Sequence, residues 1–72
     1  MDEIKISTPF IKLDQLLKFA GVVNEGADAK LLIQGGFVKV NGVTDTQRGK
    51  KMYPGDECLI EFENEKIGIK VI

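Results

Sequence analysis

The sequence predicts a small α/β domain of the α+β kind. An N-terminal strand comes first, then two short helices packed through apolar stripes. Three or four further strands complete a mainly antiparallel sheet. Three observations carry this prediction. Leu13, Leu16, Leu17 and Ala20 recur at i, i+3, i+4 and i+7, and Ala29, Leu32, Ile33 and Gly36 repeat that spacing. Residues 57–62 and 67–71 alternate apolar with other residues at the period of a strand. Asn41-Gly42, set just after Val38-Lys39-Val40, is a strong hairpin-turn signal.

In chain order, Glu3 to Ser7 reads as the first strand, with Ile4 and Ile6 on one side and Lys5 on the other. Thr8-Pro9 breaks it. The first helical pattern runs from Phe10 to Ala20, and its start admits two readings. Thr8 can cap it with Pro9 at the first helical position. Alternatively Phe10-Ile11 continue the extended chain and the helix opens near Lys12-Leu13, with Asp14 favoured by the positive helix end. Gly21 stops it. Asn24 is the expected cap of the second helix, and Gly35 or Gly36 its positive-φ stop. Val38 and Val40 then face one way, and Phe37, Lys39 and Asn41 the other. Residues 44–49 read as loop or weak strand, and Pro54-Gly55-Asp56 as a turn. Cys58, Ile60 and Phe62 form the buried face of the next strand, Glu63 to Lys66 turns the chain, and Ile67, Ile69 and Val71 form the last strand. The expected core is Ile4, Ile6, Leu13, Leu16, Leu17, Ala29, Leu32, Ile33, Val38, Val40, Ile60 and Phe62, with Cys58 a small apolar residue beside it.

A chain of 72 residues makes one domain, spanning 1–72, and its stability margin should be narrow. With 43% apolar and 29% charged residues it has the composition of a soluble globular protein. No window is long enough for a transmembrane helix, and Met1-Asp2-Glu3 does not open a signal segment. A single cysteine, Cys58, cannot form an internal disulfide, which fits a reducing cytoplasm. Histidine is absent, which removes the commonest general base and any ordinary zinc site, so neither metal nor cofactor is expected. Without these groups, and with too little chain to wall off a pocket, an enzyme is not expected, nor is a small-molecule substrate.

The net charge of −1 conceals an asymmetry. Residues 4–55 hold eight Lys/Arg against four Asp/Glu, whereas 56–72 hold two against five. Within the positive part, Arg48-Gly49-Lys50-Lys51 concentrates three cations in four residues. A solvated loop kept basic for solubility needs less. Cations held at fixed positions are how proteins grip phosphate backbones. Lys12, Lys30 and Lys39 are single cations that gain meaning only by converging on that loop. Tyr53, an aromatic in a polar turn, is a candidate for base stacking. Phe37 is a lesser one. For both, the competing role is to cover the edge of a small core.

These residues together resemble the RNA-binding domain named after the fourth small-subunit ribosomal protein, the S4-like or alpha-L domain. The family pattern is basic-Leu-Asp-x-x-Leu, Ala-x-x-Leu-Ile-x-x-Gly-x-Val-x-Val-Asn-Gly and Gly-Asp. This chain offers Lys12-Leu13-Asp14 with Leu17, then Ala29, Leu32, Ile33, Gly36, Val38, Val40, Asn41 and Gly42, then Gly55-Asp56. The match covers about residues 11–62. Arg48-Gly49-Lys50-Lys51 is similar to a basic knot in the small stand-alone bacterial branch. Two departures stand out. Glu25-Gly26 replaces a Ser-Arg pair that touches RNA in many members. Lys12 replaces an arginine, which keeps the charge but loses the planar fork.

The resemblance implies a non-catalytic protein that recognises structured RNA, with ribosomal RNA a candidate, through a surface of Lys12, Lys30, Lys39, Arg48, Lys50, Lys51 and Tyr53. Arg48, Lys50 and Lys51 are expected on a solvent-facing loop, where alanine leaves folding nearly intact. The alternative is a protein-interaction module that keeps the fold without RNA. Net acidity, Glu25 and the acidic last third favour that reading.

Overall fold

The computed structural model describes residues 1–72. Seven strands and two helices follow in the order β1 (Asp2–Ile4), β2 (Ile11–Lys12), α1 (Leu13–Phe19), α2 (Gly26–Gln34), β3 (Val38–Val40), β4 (Val43–Thr44), β5 (Lys51–Met52), β6 (Glu57–Phe62) and β7 (Glu65–Val71). Five strands form one sheet in the order β1-β7-β6-β3-β4, antiparallel except where β1 runs parallel to β7. β2 and β5 form a separate antiparallel pair beside α1. Two helices packed on a mainly antiparallel mixed sheet are what the patterning predicts.

Alternation decides which face of the sheet is buried. Val38, Val40, Cys58, Ile60, Ile69 and Val71 face the helices. There they meet Leu13, Leu16, Leu17, Ala29 and Ile33, with Met52 of β5 closing the core. Three expectations change here. Phe62 is 43% exposed, because it ends β6 opposite Glu65 at the hairpin, past the last covered pair, Ile60 and Ile67. Ile4, Ile6 and Leu32 are only half-buried, at the margin of the core. Met52, Ile69 and Val71 belong to the core in addition.

The first strand ends earlier than its alternation suggests, but the pairing continues irregularly. Ile72 N–H donates to Ile4 O (2.9 Å) and Ile6 N–H to Ile72 O (3.0 Å). The second reading of the first helix is the observed one, since β2 runs straight into α1 at Leu13. Thr8 does not cap it; its hydroxyl donates to Phe10 O within the turn. Nor does Asn24 cap α2. The residue before that helix is Glu25, extended at φ −130°, and no side chain bonds to the first turn.

Gly36 supplies the positive-φ stop at φ 84°. Gly35 has ordinary helical angles but is needed for a different reason: a Cβ there would stand 2.8 Å from both Leu31 O and the Phe37 ring. Phe37 thus lies against the bare backbone at the end of α2, edge-on to Phe62 with 5.0 Å between ring centroids. Covering this edge accounts for its position.

Candidate nucleic-acid interface

The basic loop is tied to the start of α1 by its own backbone. An α-helix begins with amides that have no partner inside the helix. In α1, Leu13 N–H donates to Lys50 O (2.8 Å) and Asp14 N–H to Arg48 O (3.1 Å). The loop therefore does the work of a cap. Asp14 completes the junction. It is the one charged residue in the core region, 6% exposed. One carboxylate oxygen accepts from Gln15 N–H (2.8 Å), and the other lies 3.2 Å from Arg48 Nε. Arg48 is thus held at both backbone and side chain, while its guanidinium stays about half exposed.

The β2–β5 pair extends the same junction. Ile11 stands opposite Met52 and Lys12 opposite Lys51. Two lysines directly across an antiparallel pair repel one another. Neither is in a salt bridge, since the two in the protein are Arg48–Asp14 and Lys39–Glu61. Lys51 Nζ instead sits 4.9 Å from the centroid of the Phe10 ring, a cation–π contact. Phe10 in turn lies 5.8 Å from Tyr53, centroid to centroid. Cations and aromatics therefore share one surface around Lys12 and Lys51.

Tyr53 is fixed by a second junction. Its N–H donates to Asp56 Oδ2 (2.7 Å), and Asp56 Oδ1 accepts from Asn41 Nδ2 (3.2 Å). Asn41 Oδ1 accepts from Glu57 N–H (2.9 Å). Asn41 and Gly42, at φ 49° and 86°, form the tight turn expected of Asn-Gly. The side chains of Asn41 and Asp56 thus clamp that turn to Pro54-Gly55-Asp56. Motif spacing made Asn41 and Asp56 visible in the sequence; their bond to each other was not.

α2 lies beside Arg48. A Cβ added at Gly26 would stand 3.8 Å from Arg48 Nη2, so the glycine leaves room for the guanidinium. Lys30, four residues on, shares that flank of the helix. Glu25 is exposed next to it and forms no ion pair. Lys39 is elsewhere. Val38 and Val40 face the helices, so Lys39 projects from the opposite face of the sheet, where Glu61 pairs with it at 3.3 Å. Lys12, Lys51 and Tyr53 share the surface around Phe10, Arg48 and the Lys50 backbone adjoin the start of α1, Lys30 lies on the flank of α2 beside Arg48, and Lys39 stands apart. The residues that sequence reasoning missed are Phe10, beneath Lys51, and Asp14, which anchors Arg48. Phe10 carried no signal beyond being an aromatic near a proline. Asp14 did: an acid among Leu13, Leu16 and Leu17 has to find a partner.

No group of side chains suits a metal ion. No helix is long and apolar enough to cross a membrane.

Comparison with known proteins agrees with this architecture. The family model described as the S4 domain matches residues 4–70. A curated relative, the probable ribosome maturation protein RlbA of Bacillus subtilis (strain 168), is 43% identical over 58 residues, covering 81% of this chain and 82% of that protein. The solution structure of YbcJ from E. coli superposes with a TM-score of 0.64 at 30% identity, over 97% of this chain and 87% of that one. YbcJ is described as having an αL motif involved in RNA binding. With a family model matched over nearly its whole length, the chain belongs to the S4 domain family.

Proposed function

We propose that this protein binds structured RNA, ribosomal RNA foremost, and acts in the cytoplasm by binding rather than by catalysis. The observation that carries the proposal is the junction of the 48–51 loop with α1. It sets Arg48 and the opposed Lys12–Lys51 pair at one junction, with Lys50 next to them in the chain and Lys30 along the adjacent flank of α2. Lys12 and Lys51 face each other without a counter-ion, and a phosphate between them would relieve their repulsion. Their fixed spacing favours a folded RNA whose phosphates are themselves fixed. The YbcJ and RlbA likenesses support RNA, and the ribosome, as the setting.

The test is a titration of the protein against a structured ribosomal RNA fragment at several salt concentrations. Lys12→Ala, Lys50→Ala and Lys51→Ala should each weaken binding by similar factors across RNA sequences, because phosphate contacts carry no base information. Lys39→Ala, paired with Glu61, should leave it unchanged. Absence of binding by the wild type at low salt would instead support a protein-interaction module.

A further inference from the structure

On the flank of α2 away from Lys30 and Gly26 lies an apolar trough. Helical geometry sets Lys30 and Gly26 to one side of the buried Ala29–Ile33 stripe and Asp28 and Leu32 to the other, with Leu31 on the outward face between Lys30 and Leu32. Val22, Leu31, Leu32 and Phe62 line the trough. Leu31 is 70% exposed and Phe62 43%, so large apolar side chains face water there. Leu31 and Phe62 border the same hollow instead of standing singly on the surface, and exposed apolar groups gathered inside a polar rim mark interaction sites. The charged residues around it are all acidic: Asp28 on the helix side, and Glu63 and Glu65 in the adjoining hollow that shares Val22, Leu32 and Phe62, with Asn24 the uncharged polar neighbour and no lysine or arginine among the lining residues of either.

The hairpin adds an independent observation. Phe62 pairs with Glu65, so Glu63-Asn64 is a two-residue turn, with φ 51° and 65°. Such a turn prefers Asn-Gly, the solution this chain uses at Asn41-Gly42. A glutamate in the left-handed region is strained. The rim thus carries a carboxylate at a turn position that its own backbone disfavours.

We propose that the trough docks a basic amphipathic segment of another protein, with an apolar ridge flanked by lysine or arginine. The apolar floor supplies contact area, and the three rim acids select the charge of the occupant. A second copy docked face to face would set Asp28, Glu63 and Glu65 against acids of the same kind. RNA and anionic lipid would be repelled by the same rim. This docking uses none of the cations around the 48–51 loop and does not depend on RNA binding.

The experiment uses the whole chain, labelled with ¹⁵N, and follows amide shifts in about 0.15 M salt. The probe is a synthetic leucine–lysine amphipathic helix of about five turns. Two controls are a scrambled peptide of the same composition and a leucine–glutamate helix. Shifts should centre on Val22, Leu31 and Phe62 and spare Lys50 and Lys51. Leu31→Ala, at a water-facing position that leaves the fold intact, should weaken binding about tenfold, the effect of losing an interface anchor. Glu63→Asn should move two readouts in opposite senses: the thermal midpoint rises as strain is relieved, while peptide binding weakens. Equal binding of the scrambled or acidic peptide would overturn the proposal, as would shifts centred elsewhere. Concentration-dependent shifts at the trough in the protein alone would assign it to a second copy and overturn the proposal too.

Discussion

Arg48 Nε lies 3.2 Å from Asp14 Oδ2, joining the basic loop to a helix 34 residues earlier in the chain. The carboxylate is nearly buried, whereas the guanidinium is about half in water. Arg48 is therefore committed to the fold on one side and open to solvent on the other. The sequence suggests three equivalent cations at 48, 50 and 51; the structure makes the first of them different.

Arg48→Ala should consequently lower stability by about 1–3 kcal/mol, because it leaves a buried carboxylate short of its charged partner. Lys50→Ala should change stability by about 0.5 kcal/mol or less, since only the backbone carbonyl of Lys50 is used by α1. Urea denaturation of the two variants measures the difference. Equal midpoints would show that the Asp14–Arg48 contact contributes nothing. Any loss of RNA binding in Arg48→Ala must be read with its fold checked first.

Salt dependence tests the cationic surface as a whole. With about three to five phosphates neutralised, log affinity should fall against log salt with a slope of roughly −2 to −4.5. Removing Lys12 or Lys51 should flatten the slope by about one unit each, and removing Lys39 should not alter it. A slope unchanged in all three variants would place the RNA elsewhere.

How far the sequence could be read depended on the range of the interactions. The Leu13-Leu16-Leu17 and Ala29-Ile33 stripes, the Asn41-Gly42 turn and the burial of Cys58 and Ile60 on β6 are local, and each appears where its period requires. The parity that buries Val38 and Val40 also turns Lys39 away from the helices, so its separation from the loop could have been read from alternation alone. Phe62 shows the limit of the same argument. Period two assigns it to the buried face but cannot say where the helices stop covering the sheet. Met52 was hidden because its burial depends on a two-residue strand pairing with Ile11, more than half the chain away. The Asp14–Arg48 and Asn41–Asp56 contacts are likewise non-local and leave no periodic trace.

The difference between full and marginal burial predicts two unequal substitutions. Leu17 is fully buried between the helices and the sheet, whereas Leu32 is half-buried beside the trough. Leu17→Ala should cost about 2–5 kcal/mol. Leu32→Ala should cost about 1–2 kcal/mol, since part of its apolar surface already meets water. Denaturant midpoints of both variants decide this. Equal losses would mean that Leu32 is as much core as Leu17.

Cys58 gives a prediction in pH. Burial pushes its thiol up from 9.0 to about 11. Between those values the unfolded chain loses a proton that the native state retains. Stability from this group is therefore complete below about pH 8 and falls as pH rises from 9 toward 11. Other groups titrate there, so the comparison is with Cys58→Ala. The stability advantage of wild type over that variant should shrink across this range. A constant advantage would show that the thiol titrates alike in both states.

Tyr53 is the only tyrosine and there is no tryptophan, so the intrinsic emission of the protein reports on one residue. That residue sits about half exposed, 5.8 Å from Phe10, on the surface that carries Lys12 and Lys51. Its backbone is held by Asp56, so the ring is presented from a fixed turn. If a nucleobase stacks on it, RNA should quench its emission in step with binding followed independently by anisotropy of labelled RNA. An RNA with unpaired nucleotides should quench more than a continuous duplex, whose bases are already stacked. Tyr53→Phe should keep the affinity, because the stacking face is retained. Tyr53→Ala should weaken binding by about 1–3 kcal/mol, the range for one base on one aromatic ring. Binding with no change in emission, and equal affinity for Tyr53→Ala, would remove Tyr53 from the interface and leave the cations as its whole content.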